Sequence, residues 1–133
     1  MPYMNTKYLM ISSAAFMALS GLATTFLPQE ILNNLGLNSN AGAAVFIQVT
    51  GALYLGFAMM NWMAKSVLIG GIYARPLAMG NFLHFAAGAM ALIKFAMAGA
   101  SNASLWVAAA SYAVFAIMFG KVIFTSPAKM VKE

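Results

Sequence analysis

His84 and Lys94 are the two residues of this chain whose side chains ionise deep within long apolar stretches of sequence. Inside a membrane such a group is costly and is a functional suspect by default. Around His84 the sequence supplies further polar groups at helical spacing. Asn81 precedes it by one turn, and Thr50, Tyr54 and Asn61 fall on one stripe of an earlier run. At 1.5 Å per residue, His84 lies about 12 Å inside its run, and Tyr54 reaches about that depth from an antiparallel neighbour. Tyr54, Asn61, Asn81 and His84 are therefore candidates to line a polar pocket in an apolar cleft. Such a cleft suits the head group of a lipid-like ligand of quinone, sterol or other isoprenoid type. The same side chains also suit interhelical hydrogen bonding that only holds the helices together.

Lys94 lies about 9 Å from the opposite end of the same run, a distance a lysine stem covers by snorkelling. Its other candidate partner is Glu30, the one acid of the chain besides Glu133. Gln48 enters the apolar region about 10 Å from that side. A Glu30–Lys94 ion pair with Gln48 nearby would tie a loop to the second and third runs.

Catalysis is hard to assemble from this inventory. Without cysteine there are no disulfides, zinc thiolates or thiol nucleophiles. Without aspartate, and with Glu133 at the C-terminus, two-carboxylate chemistry has no pair to use. A Ser/His pair lacks an acid to orient the imidazole. One histidine excludes bis-histidine haem ligation within one chain and leaves only a His/Met pair formally open. The 12 methionines read as apolar gap-fillers. Gly70-Gly71 lacks the Lys-Ser/Thr that a phosphate loop requires. One His and one Lys in opposite halves make no proton relay. A channel would need a polar stripe along a whole helix, and Ser13, Ser20 and Thr24 offer only a weak one. Neither a metal nor a cofactor is expected.

The elements that must position these residues follow from composition. Of 133 residues 63% are hydrophobic and 7% charged, against about 25% charged in an ordinary soluble domain. So small a body has too much surface to be covered by so few charges. Four runs are long enough to cross about 30 Å of hydrocarbon: Tyr8 to Leu27, Ala41 to Met63, Pro76 to Gly99, and Ala103 to Phe124. In lipid every backbone polar group must be paired internally, so the runs are helices. The expectation is an all-α, polytopic membrane protein: one domain, 1–133, forming a four-transmembrane-helix bundle with short loops. The first run reads as a retained helix, since it exceeds the apolar core of a signal peptide.

Lys7, Lys65, Arg75, Lys121, Lys129 and Lys132 all fall at one set of helix ends, and the first and third connections carry no Lys or Arg. The positive-inside rule then places both termini in the cytoplasm, with Trp62 and Trp106 at the interfaces. The net charge of +5 is no nucleic-acid footprint, because no basic cluster interleaves with aromatics.

Pro28 to Leu37 reads as an amphipathic turn or two in the outer interface. Ser66 to Tyr73 is too short to span and is left open between helical, interfacial and re-entrant courses. Small residues mark the faces expected to pack: Ala14/Ala18, Ala87/Ala91 and Ala109/Ala113, then Ala44, Gln48, Gly51 and Ala58, then Asn81, His84, Gly88 and Ala91.

The order of features resembles the DoxX-like group of small four-helix bacterial membrane proteins. The resemblance rests on the Pro-led turn ending in Leu-Gly-Leu at 35–37, on Gly51-Ala52-Leu53-Tyr54-Leu55-Gly56, and on Asn61-Trp62-Met63-Ala64-Lys65. It continues with Arg75-Pro76 and Gly80-Asn81-Phe82-Leu83-His84. It implies the four-helix fold, a bacterial inner-membrane location and, as in some such proteins, an accessory role in a respiratory or redox membrane complex. It carries over no catalytic residue. Two functional expectations result. One is an accessory or structural subunit of a membrane complex or homo-oligomer, with the lipid bilayer and a membrane protein as partners. The other is a binder, carrier or isomerase-like enzyme for a lipidic small molecule near His84.

Overall fold

Proline at 28, asparagine at 40 and 102, and glycine at 36 and 99 punctuate the apolar sequence, and each stands at a helix boundary. The computed structural model describes residues 6–67, 74–99 and 102–125. Its elements there are all helical: α1 (Thr6–Phe26), α2 (Pro28–Asn34), α3 (Ala41–Met63), a 3-10 turn (Ala64–Ser66), α4 (Arg75–Met97) and α5 (Ala103–Phe124). α1, α3 with its 3-10 extension, α4 and α5 run 21, 26, 23 and 22 residues, and all are apolar enough to cross a membrane. The protein is all-α and is built as an integral membrane protein.

The helix limits have local causes. Pro28 begins α2, where its missing N–H costs nothing. α2 stops at a Schellman turn: Gly36 adopts φ +69°, its N–H donates to Asn33 O, and Leu37 N–H donates to Leu32 O. The amphipathic segment expected over Pro28 to Leu37 is thus helical to Asn34 and then closed. α1 begins two residues before Tyr8. α4 ends at Met97 rather than Gly99, because Gly99 takes φ +104°. Asn40 Oδ1 accepts from Ala43 N–H at 2.8 Å, and Asn102 Oδ1 accepts from Leu105 N–H at 2.8 Å. Both are side-chain caps that satisfy an orphan donor of the first turn. Asn102→Ala is expected to lower stability by about 1 kcal/mol, read by thermal unfolding in detergent. Ser66 closes the 3-10 turn, while Gly70-Gly71 and Lys129, Lys132 and Glu133 lie outside the described residues.

The described residues fall into two compact units. One is Met10–Met63; the other takes the described parts of Met1–Leu9 and Ala64–Glu133. In the first, α1 runs antiparallel to α3 at close range. A Cβ on Gly21 would lie 2.9 Å from Leu55, and one on Gly51 would lie 2.9 Å from the backbone nitrogen of Thr25. Small residues thus supply the packing that lipid cannot drive. α2 rests against α3.

In the second unit α4 and α5 pair antiparallel, with Phe82 against Gly120 and Gly88 against Tyr112. The buried face of α4 carries Ala78, Asn81, Phe85, Ala89 and Ala96. This corrects the Ala87/Ala91 pair, which is exposed, as is Gln48 on α3; of the stripe Asn81, His84, Gly88 and Ala91, Asn81 is buried and Gly88 meets Tyr112, while Ala91 is exposed. At about 100° per residue the centre of that buried face is turned roughly 150° from the Ala87/Ala91 pair. The cause is aromatic packing, since Phe85 fills the α4–α5 contact while Ala87 and Ala91 lie across the helix from it. The other small-residue faces are occupied as expected at Ala14, Ala44, Gly51, Ala58 and Ala109, all buried.

Candidate functional site

Tyr54 and Asn61 lie on α3 in one unit, and Asn81 and His84 lie on α4 in the other. Each pair is built by its own surroundings.

Asn61 is fully buried two turns from half-buried Tyr54. Its Nδ2 donates to Ser13 Oγ on α1 at 3.0 Å. Ser13 is fully buried too, and its hydroxyl donates back to Met10 O at 3.1 Å. An amide, a hydroxyl and a main-chain carbonyl therefore form a short relay joining α3 to α1. Asn61→Ala and Ser13→Ala in a double-mutant cycle are expected to couple by about 0.6 kcal/mol, with about 1.7 as the upper end for membrane helices. Additive losses in an SDS-unfolding titration would remove the relay.

The weak polar stripe on α1 is absorbed locally. Thr24 Oγ1 donates to the carbonyls of Ser20 and Gly21 at 2.8 and 3.2 Å. On α3, Thr50 Oγ1 likewise donates to Phe46 O at 2.9 Å. Hydroxyls that back-bond to the preceding turn line no path. Gln48 is exposed, and its Nε2 donates to Thr25 O at 3.4 Å, a long bond to α1. Glu30 stands exposed in the first turn of α2, and Lys94 stands exposed in the last turn of α4.

On α4, Asn81 is fully buried, and its Nδ2 donates to Leu77 O at 3.0 Å. His84 is half-buried. Its ring centroid lies 5.4 Å from that of Tyr112 and 5.1 Å from that of Phe85. Phe85 in turn meets Tyr112 edge-on at 5.2 Å and stacks on Phe115 at 4.9 Å and Phe119 at 5.9 Å. Gly88 makes room for this ladder, since a Cβ there would fall 2.5 Å from the Tyr112 ring.

Phe85, Tyr112, Phe115 and Phe119 were not among the expected site residues. Their signal was present in the spacing of Tyr112, Phe115 and Phe119, which places three rings on one face of α5. Among the described residues no three His, Asp or Glu side chains gather as metal ligands.

The arrangement thus offers hydrogen-bonded polar contacts inside the helices and one imidazole at the edge of an aromatic ladder. It holds no nucleophile–base pair among the bonds described above. No family model, no curated protein and no solved structure matches the chain. The DoxX-like resemblance gains no support from these comparisons.

Proposed function

We propose that the protein is an accessory or structural subunit of a membrane complex or homo-oligomer. The observation that carries this reading is how the polar groups within the helices are engaged. Asn61, Ser13, Asn81, Thr24 and Thr50 all bond to a neighbouring helix or to their own backbone. The Asn61–Ser13 bond ties α3 to α1, and the other groups are satisfied by carbonyls of their own helices. The topology proposed with it has both termini cytoplasmic, from the distribution of Lys and Arg. A bacterial inner-membrane setting and kinship with the DoxX-like group are proposed on the sequence resemblance alone.

A second reading keeps one observation in its favour. His84 is an imidazole within a membrane-length helix, half-buried beside Tyr112. A lipidic ligand of quinone, sterol or other isoprenoid type would meet it at the edge of the Tyr112 ring.

Native mass spectrometry of the protein extracted gently from its own membrane separates the two. An assembly of defined stoichiometry is the expected result. A single chain carrying one discrete small-molecule mass, lost in His84→Ala, would replace the first reading by the second. A bare single chain would count against both.

A further inference from the structure

Filling gaps in a core explains Met10 and Met17, neither of which is exposed. It does not explain the C-terminal end of α3. There Met59, Met60 and Met63 are exposed by 61, 46 and 73%. Earlier on the same helix the exposed side chains include Val45, Val49 and Leu53, which meet lipid without sulfur. Three thioethers thus stand within a single stretch from 59 to 63, on the surface and not in the core.

Helix geometry gathers them. At about 100° per residue, Met63 lies about 40° round α3 from Met59, and Met60 lies about 100° round. The rise from Met59 to Met63 is about 6 Å. Gly56 falls in the same arc one turn earlier, with nothing within 4 Å of its Cβ position, so that turn does not crowd the sulfurs. Asn61 is directed about 150° away from the centre of the arc, where it bonds Ser13 on α1. The methionine arc therefore faces away from α1.

Such a ligand set selects its metal. Thioether sulfur is neutral, soft and polarizable, and it suits copper(I) rather than magnesium or calcium. Zinc requires thiolate, imidazole or carboxylate, and α3 carries no Cys, His, Asp or Glu. Three neutral ligands leave one positive charge on a bound copper(I) ion. The C-terminal end of a helix favours that charge, and the last turn of α3 holds no basic residue to oppose it. We infer that Met59, Met60 and Met63 form a copper(I) site on the surface of α3. Each sulfur donates a lone pair, and the ion keeps its oxidation state.

The test uses the full chain in detergent without oxygen. Copper(I) is titrated against a chromogenic chelator, and silver(I) serves as a redox-inert probe. The chain has no cysteine, so no thiolate competes for either ion. Met59→Leu and Met63→Leu keep the apolar volume. Each is expected to weaken binding by at least about tenfold, since losing even a supporting partner of a metal site costs that much. Met90→Leu and Met97→Leu remove exposed methionines that stand a full seven residues apart on α4, and they are expected to leave binding unchanged. Equal losses from the α3 and α4 variants overturn the inference, and so does zinc binding as tightly as copper(I). Should a variant fail to fold, NMR of the unmodified protein with 13C-labelled methionine methyl groups decides. One equivalent of silver(I) is expected to shift the three signals of Met59, Met60 and Met63. A shift spread over all 12 methionines, or no shift, overturns the inference.

Discussion

Phe85→Ala is expected to cause the largest loss of stability of any single substitution in α4 or α5. Phe85 has no solvent exposure and touches Tyr112, Phe115 and Phe119 at once. In water such a truncation costs about 3–5 kcal/mol, part of it lost transfer energy and part the cavity left behind. In a bilayer the transfer part shrinks, because the unfolded reference is also apolar. The cavity part persists. At about 24 cal/mol per Å3, an unrelaxed void of roughly 100 Å3 costs about 2.4 kcal/mol. The edge-on Tyr112 contact adds about 0.5–1.5 kcal/mol. The expected loss is therefore about 3 kcal/mol in an SDS-unfolding titration. Phe85→Leu is expected to recover much of the volume but not the stacking. A loss below about 1 kcal/mol for Phe85→Ala would mean that the ladder collapses onto the void, and that it does not fix the α4–α5 register.

Gly51→Ala against Gly56→Ala supplies the second test, with effects of opposite sign from the same added methyl. A Cβ on Gly51 would lie 2.6 Å from Thr24 Oγ1 and 2.9 Å from the main-chain nitrogen of Thr25. The hydroxyl can rotate, but the main chain can yield only if α1 and α3 separate. Overpacking of that kind costs about 1–3 kcal/mol. It also threatens the Ser13–Asn61 bond, which spans the same pair of helices. Gly56 sits one and a half turns further along α3 with nothing within 4 Å of its own Cβ position. Alanine there is expected to be neutral or to stabilise by up to about 1 kcal/mol, through the lower backbone entropy of the unfolded chain. Parallel thermal melts in one detergent read both. Equal effects at the two positions would contradict the close α1–α3 approach.

The helices were legible because hydrogen-bond satisfaction in lipid leaves few alternatives to an apolar run of this length. The limits of α3 and α5 coincide with the runs Ala41 to Met63 and Ala103 to Phe124. The facing of α4 was legible only in part, and Ala87 and Ala91 show why. In a soluble helix the buried side is the apolar side. In a membrane helix the lipid-facing side is apolar too, so hydrophobic periodicity no longer reports burial. Small residues then become the available guide, and they mislead wherever an aromatic such as Phe85 fills the contact instead. Polar residues guided better: Asn61 and Asn81, singled out for their chemistry, are fully buried. What composition could not reveal was their bonding, since an asparagine serving Ser13 and one serving its own helix at Leu77 look alike in sequence.

The Ser13 hydroxyl has a single hydrogen, and it is directed at Met10 O. Toward Asn61 the hydroxyl therefore offers a lone pair, and only a donor can face it. This gives the contact a handedness of charge: the amide must present its nitrogen rather than its oxygen. An ionised aspartate at position 61 would match asparagine in shape yet meet lone pair with lone pair, unless the serine hydrogen swung away from its carbonyl. Two residues of nearly identical outline are thus separated by the orientation of one O–H bond forty-eight positions away in the chain.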